Sequence, residues 1–165
     1  MADIGKSLIG QYGVYQVASH LNWMGYNAVP TSRNTKCVDL VVHNPSNDKA
    51  VGVQVKTMRQ NHKKDYSKDF YAVKTAVPEE MEKEEYSFSN PFVFVYIHQS
   101  EKPAPRFFIA PKEDTFRLCR EQWDKYVLES RHENIKETAK RKQPLSITIQ
   151  QLEEYEDQWQ NLGID

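Results

Sequence analysis

The chain has 165 residues, of which 39% are hydrophobic and 12% aromatic, and its formal net charge is −1 at pH 7. This length and apolar content suit a single domain with a hydrophobic core. The near-zero charge excludes a protein that binds nucleic acid through an overall positive field, so any such contact must come from a local basic patch.

Cysteine content and apolar stretches indicate the cellular setting. The cysteines, Cys37 and Cys119, do not make a disulfide framework or a zinc site, and we expect both to be small packing residues. The N-terminus lacks the arrangement of a secretory signal. No apolar stretch approaches the roughly 20 residues that span a bilayer. We therefore expect a cytoplasmic protein with no membrane association.

The first part of the chain predicts a helix, a short strand and a loop. Apolar residues recur at helical spacing over residues 6–24, and Gly25 is placed to end this helix. A short strand is expected at 27–30. The polar stretch 31–36 that follows predicts a loop.

A β-hairpin is predicted next. Residues 38–42 and 51–57 are rich in β-branched side chains, which favour strands. The stretch between them, 44–48, is rich in turn formers. Residues 58–70 are polar and basic and the cluster 79–85 is acidic, and we expect these stretches to form a loop with a helical fragment.

The second half predicts two buried strands and two helices. The strands cover 92–97 and 106–110, and a helix is expected over 113–128. Thr148 begins a capping-box sequence and would start a last helix that Gly163 ends. Apolar helical positions predicted to lie in the core include Trp23, Trp123 and Trp159.

Polar side chains interrupt the apolar runs of the hairpin at Asp39, Gln54 and Lys56. Gln54 and Lys56 are two residues apart, so they share one face of their strand. If the hairpin forms, an acid, an amide and a lysine converge at one end of the sheet, and we expect them to pack against the first helix. This layout is typical of a metal-dependent phosphodiesterase. The structural alternative is a salt bridge between Asp39 and Lys56, with Gln54 bonded to a neighbour.

These elements resemble the PD-(D/E)XK nuclease superfamily over residues 8–59. Gln54-Val55-Lys56 corresponds to the (D/E)XK element, with Gln in the place of the acid, and Asp39 corresponds to the first acid. The first helix and the Gly25-Tyr26 turn are similar to the family's opening elements. The resemblance implies a restriction-endonuclease-like α/β fold, in which a central mixed β-sheet is flanked by helices.

The resemblance also implies a domain layout and an activity. One domain would cover residues 1–165, with a nuclease-like core at about 6–111 and a C-terminal helical region at about 112–165. The implied activity is metal-dependent DNA endonuclease chemistry with Mg²⁺ or Mn²⁺. The implied metal ligands are Asp39, Gln54 and the carbonyl of Val55, all through oxygen. Lys56 would position the attacking water or stabilise developing negative charge.

The chain departs from the family pattern at the acids. Many members carry a glutamate just after a glycine of the first helix, where this chain has Val14, and the second site acid is Gln54. Asp39 is then the clear carboxylate that remains, so metal affinity should fall. Gln11, one turn before Val14, is a candidate for a second amide. A second function therefore stays open, a catalytically weakened nuclease-fold protein that binds nucleic acid or a protein partner.

Polar and basic residues near the hairpin are candidate phosphate contacts. Arginine and lysine position a nucleic-acid backbone, and asparagine bonds to bases or phosphates. The alternative is an ordinary solvated loop. We expect DNA to be the partner, and a homodimer is one further assembly that the sequence allows. The candidate DNA-binding residues are Ser32, Arg33, Asn34, Lys36 and Arg59.

Overall fold

A computed structural model describes residues 5–32, 37–60, 70–76, 90–98, 104–130 and 143–165. Helices and strands follow one another in an α/β order. They are α1 (Lys6–Trp23), β1 (Asn27–Pro30), β2 (Leu40–Asn44), β3 (Lys49–Arg59), β4 (Phe70–Ala76), β5 (Phe92–Ile97), β6 (Arg106–Ala110), α2 (Lys112–Ser130), β7 (Gln143–Thr148) and α3 (Ile149–Leu152).

Five strands form a mixed sheet in the order β1-β2-β3-β5-β6. β3 and β5 run parallel, and the other neighbouring strands are antiparallel. β4 and β7 form a separate antiparallel pair. The expected α/β class with a mixed sheet is confirmed.

The predicted hairpin is present as β2 and β3, in which Leu40 lies opposite Val53. Asn44 stabilises the connecting turn, because its side-chain oxygen accepts a hydrogen bond from the backbone N–H of Ser46 at 3.0 Å. Asp48 adopts φ 61° at the end of the turn, a left-handed conformation that Asp tolerates better than most residues.

Helix α1 packs on one face of the sheet. Its buried residues Val17 and Leu21 join a cluster with Val53 and Val55 of β3. At Gly13 the helix comes so close to the strand that an added Cβ would lie 1.7 Å from Thr57 Oγ1. Glycine is therefore what allows α1 to sit this deep against β3.

The opposite face of the sheet is covered by α2 and by the β4–β7 pair. Phe92, Phe94 and Phe108 project there and are 1% exposed or less. Trp123 of α2 and Leu145 of β7 pack in the same cluster. Two apolar clusters on the two faces thus hold the central sheet between layers.

Asn22 joins the end of α1 to β1. Its side-chain oxygen accepts a hydrogen bond from the N–H of Ala28 at 2.9 Å, and its amide nitrogen donates to the C=O of Ala28 at 3.4 Å. Gly25, at φ 93°, turns the chain between the two elements. The predicted end of the first helix is thereby confirmed within two residues.

The C-terminal region differs from the expectation of a helical region, because it contains β7. The predicted capping box at Thr148 and Gln151 forms, but the α-helix that it starts stops at Leu152. Two short 3₁₀ segments follow, Glu153–Tyr155 and Trp159–Leu162.

Two side-chain expectations also need correction. Trp23 is 90% exposed, whereas Trp123 and Trp159 are buried as predicted. Cys119 is buried, but Cys37 is exposed and so is not a packing residue. Within the described ranges, no helix is long and apolar enough to cross a membrane.

Candidate functional site

Asp39 lies where β2 begins, next to the part of β3 that extends beyond the hairpin ladder. Its carboxylate Oδ2 accepts a hydrogen bond from the backbone N–H of Val55 at 2.8 Å. The N–H of Asp39 donates to the C=O of Val53 at 2.8 Å, and its C=O accepts from the N–H of Thr31 at 3.0 Å. Three hydrogen bonds therefore fix the position of Asp39.

The carbonyl of Val55 faces the same edge of β3 as the Asp39 carboxylate. The N–H of Gln54 donates to Pro91 on the β5 side, at 3.1 Å, whereas the N–H of Val55 points to Asp39. In a strand, the N–H and C=O of one residue point to the same edge. The carboxylate and the Val55 carbonyl oxygen thus share one edge of the strand.

Gln54 and Lys56 are half-buried and project from one face of β3, because side chains alternate along a strand. They are paired in register with Phe92 and Phe94 of β5. The other face of β3 carries Val53, Val55 and Thr57 and contacts α1. Gln54 and Lys56 therefore lie on the face away from α1, which differs from the expectation that they pack against this helix. Val14 packs against the apolar cluster on the α1 side.

The Asp39 carboxylate bonds to the backbone of β3 and forms no ion pair with Lys56, both of which lie in the described part of the chain. The structural alternative of a salt bridge between these two residues is therefore not observed. The carboxylate holds the backbone N–H that a continuing β2 strand would otherwise have paired. A charge-assisted bond of this kind holds the Asp39 carboxylate beside the part of β3 that carries Gln54 and Lys56.

The structure describes two of the predicted DNA-binding residues, Ser32 and Arg59, and these lie near the ends of different strands. Ser32 follows the end of β1, and Arg59 is the last residue of β3. By strand alternation, Arg59 projects from the α1 side of β3, opposite to Lys56. Arg33, Asn34 and Lys36 lie outside the described residues.

The donor set at this edge is poor in carboxylates. Among the residues that the structure describes, no group of three or more His, Cys, Asp or Glu side chains is placed to hold a metal ion. The oxygen donors here are the Asp39 carboxylate, the Val55 carbonyl and the Gln54 amide. All are of the oxygen type that Mg²⁺ prefers, so the set fits a weakly held hard cation.

Two contacts around this site escape inference from the sequence. One is the bond from the Val55 N–H to Asp39, and the other is the contact of Gly13 with Thr57. Within the described ranges, the hydroxyl of Thr57 is buried without a hydrogen-bond partner. The glycine in the first helix is the signal that would have indicated a close approach, since a helix interior otherwise disfavours it.

Fold and site together define an α/β protein with a mixed five-stranded sheet, in which the Asp39 carboxylate bonds to one edge of β3. Comparison with known proteins gives no family model, no curated protein and no solved structure that matches this chain.

Proposed function

We propose that this chain is a metal-dependent DNA endonuclease with a restriction-endonuclease-like fold. The observation that carries the proposal is the Asp39–Val55 hydrogen bond. It places the Asp39 carboxylate at the same edge of β3 as the backbone carbonyl of Val55, the residue between Gln54 and Lys56 in the chain. A carboxylate and a carbonyl are suitable ligands for a divalent cation, and a lysine can stabilise negative charge on a phosphate, so this combination suits phosphodiester hydrolysis.

Each residue has a distinct part in the proposed chemistry. Asp39, Gln54 and the Val55 carbonyl would hold Mg²⁺ or Mn²⁺, which when bound polarises phosphate oxygens and lowers the pKa of a bound water. The Lys56 side chain lies on a half-buried strand face. Its terminal nitrogen would orient the attacking water or stabilise the charge that develops on the phosphate.

A second candidate function is a nuclease-fold binding module with weakened catalysis, which binds nucleic acid or a protein partner. The observation that favours it is the donor set, in which Gln54 stands where the family has an acid and, among the described residues at this edge, Asp39 supplies the carboxylate. A neutral amide holds a divalent cation less tightly than a carboxylate, because it contributes no net charge.

Calorimetric titration with Mn²⁺ separates the two functions. Gln54→Glu should bind Mn²⁺ more tightly than wild type and should raise cleavage of plasmid DNA, because it adds a charged ligand of nearly the same length. Asp39→Asn should abolish the gain. Asp48→Asn is the matched control, since it removes a carboxylate from the other end of the hairpin. If Gln54→Glu gains nothing, or gains equally with Asn at position 39, the metal site does not exist and the binding module is preferred.

DNA binding is tested separately by its dependence on salt. Contacts to phosphates release counterions, so affinity should fall steeply as salt rises. Arg33→Ala, Lys36→Ala and Arg59→Ala should each weaken binding to all sequences alike. Lys125→Ala, at an exposed position of α2, is the control and should bind as wild type does. Unchanged affinity in all three variants would remove this region from the interface.

A further inference from the structure

Helix α1 presents a line of large residues to solvent on the side away from the sheet. Leu8, Tyr12, Tyr15, Ser19 and Trp23, the outer stripe, are spaced by three or four residues and so lie within about 80° of arc on the helix. Leu8 is 59% exposed, Tyr12 37%, Tyr15 61% and Trp23 90%. This arrangement is the reverse of an ordinary surface helix, whose exposed face is polar.

Charge is also missing from the outer stripe. From Ser7 to Trp23 the sequence of α1 contains no Asp, Glu, Lys or Arg. A helix face that lacks charge and carries aromatic side chains is typical of an interaction surface. The stripe has no cation to pair with a phosphate backbone and contains none of the candidate DNA-binding residues, so this surface is distinct from the proposed DNA-binding region.

An open groove lies beside the C-terminal half of the outer stripe. Its volume is about 680 Å³, and Gln16, Ser19 and Trp23 of α1 form one wall. Ala104 and Pro105, which precede β6, lie across from them. Leu8, which is 59% exposed, lies in the N-terminal half of the stripe, and the groove lies beside its C-terminal half.

We propose that the outer stripe pairs with the outer stripe of a second copy, with the two α1 helices antiparallel across a twofold axis. The midpoint between Leu8 and Trp23 falls next to Tyr15. Antiparallel pairing about this point therefore places Leu8 beside the partner copy's Trp23 and its groove, and Tyr12 beside the small Ser19. Such a surface is complementary to itself, as a twofold interface requires.

Charge and area both favour a second copy as the occupant. Two identical faces normally repel each other where they carry like charges, and the outer stripe carries none. With aromatic side chains covering roughly 150–250 Å² each, the exposed parts of Tyr12, Tyr15 and Trp23 supply roughly 300–500 Å². This is about half of the roughly 800 Å² that each partner of a stable dimer buries, and Leu8 and the groove walls add to it.

Sedimentation velocity of the full chain tests the proposal. Wild type should sediment as a dimer, and Tyr15→Ser and Trp23→Ser should shift it to a monomer while circular dichroism shows an unchanged fold. Val29→Ser and Val41→Ser are the controls, because they remove exposed apolar residues, 53% and 44% exposed, from a different surface. These controls should remain dimers. A wild type that stays monomeric, or stripe variants that stay dimeric, would overturn the proposal.

Disulfide formation tests the antiparallel arrangement. In a Cys37→Ser background, Tyr15→Cys should cross-link two copies on oxidation, because position 15 lies at the twofold axis. Leu8→Cys should not, because the two copies of position 8 lie about 22 Å apart along paired helices. Cross-linking through Leu8→Cys alone would contradict the arrangement.

Binding of a single-stranded oligonucleotide tests the alternative occupant of the stripe. If wild type is monomeric and Trp23→Ser weakens this binding, the stripe binds nucleic acid and the dimer is excluded.

Discussion

Gly13 of α1 and Thr57 of β3 meet at a distance that leaves no room for a side chain at position 13, since an added Cβ would lie 1.7 Å from Thr57 Oγ1 and 2.8 Å from Thr57 Cβ. This contact sets the depth at which α1 lies on the sheet. Thr57 directly follows Lys56, so the same contact holds the strand that carries the candidate site.

Gly13→Ala should destabilise the protein by about 1–3 kcal/mol, the usual cost of overpacking a core. Gly10→Ala is a matched control in the same helix, where nothing lies within 4 Å of an added Cβ. It should stabilise by about 0.5–1 kcal/mol, because alanine loses less backbone entropy than glycine. Urea denaturation measures both. Equal effects of the two substitutions would mean that the helix does not depend on the contact with Thr57.

Asp39→Ala should destabilise the protein by about 1–3 kcal/mol, because the N–H of Val55 would lose its acceptor. Asp39→Asn keeps a side-chain oxygen at the same position and should cost clearly less. The free energies of unfolding of the two variants, measured in urea, give the comparison. If Ala and Asn cost the same, the hydrogen bond to Val55 contributes nothing to stability.

The ion pair of Arg106 and Glu156 should make stability depend on acid pH. Hydrogen bonds from Arg106, at 2.6 and 2.7 Å, hold the pKa of Glu156 below its ordinary value of 4.5. A lowered folded-state pKa means that the stabilisation is complete above 4.5 and is lost as pH falls through the folded-state pKa. Because both side chains are about one-third exposed, the contribution should be below about 1 kcal/mol.

Unfolding of Glu156→Gln at two pH values tests this ion pair. The variant should be less stable than wild type at neutral pH, and the difference should shrink as the pH is taken below 4.5. Glu153→Gln is the control, because it removes a carboxylate of the same segment that is not paired with Arg106. A difference between wild type and Glu156→Gln that is constant with pH would contradict the linkage.

The two cysteines should differ in reactivity. Burial raises the pKa of the Cys119 thiol to about 12, whereas Cys37 is exposed. Since the thiolate is the reactive form, an aromatic disulfide reagent should modify Cys37 alone in the native protein. Both thiols should react in denaturant. Native Cys37→Ser should not react, and rapid reaction of this variant would show that the Cys119 environment opens.

Local pattern was sufficient for the elements whose partners are close in the chain. α1 followed from helical spacing, and the β2–β3 hairpin followed from two β-branched runs around a turn. β4 was missed, because its partner β7 lies far along the chain and its pairing leaves no local signature. Long-range pairing of this kind depends on the tertiary fold.

The expected last helix shows how tertiary contacts override periodicity. Its apolar residues are buried as the pattern required, but the chain becomes extended at Glu156, where φ is −62° and ψ is 126°. Glu156 bridges to Phe108 of β6 and bonds to Arg106, and the N–H of Asp157 donates to Phe107. Pairing with β6 therefore replaces the helical hydrogen bonds.

The candidate site was only partly accessible from the sequence. The alternation rule placed Gln54 and Lys56 on one strand face correctly. The bond from Asp39 to the Val55 N–H depends on where β2 begins relative to β3, and residue spacing does not determine this point. Which face α1 covers was equally undetermined, because it follows from the contact at Gly13.

The bonds between Asn22 and Ala28 also bear on how this protein avoids aggregation. β1 is the last strand on its side of the sheet, and the outward N–H and C=O of Ala28 are both taken by the Asn22 amide. The next outward-facing residue is Pro30, which has no N–H to offer. A foreign strand therefore meets few free hydrogen-bonding groups along this border, and this disfavours edge-to-edge pairing there.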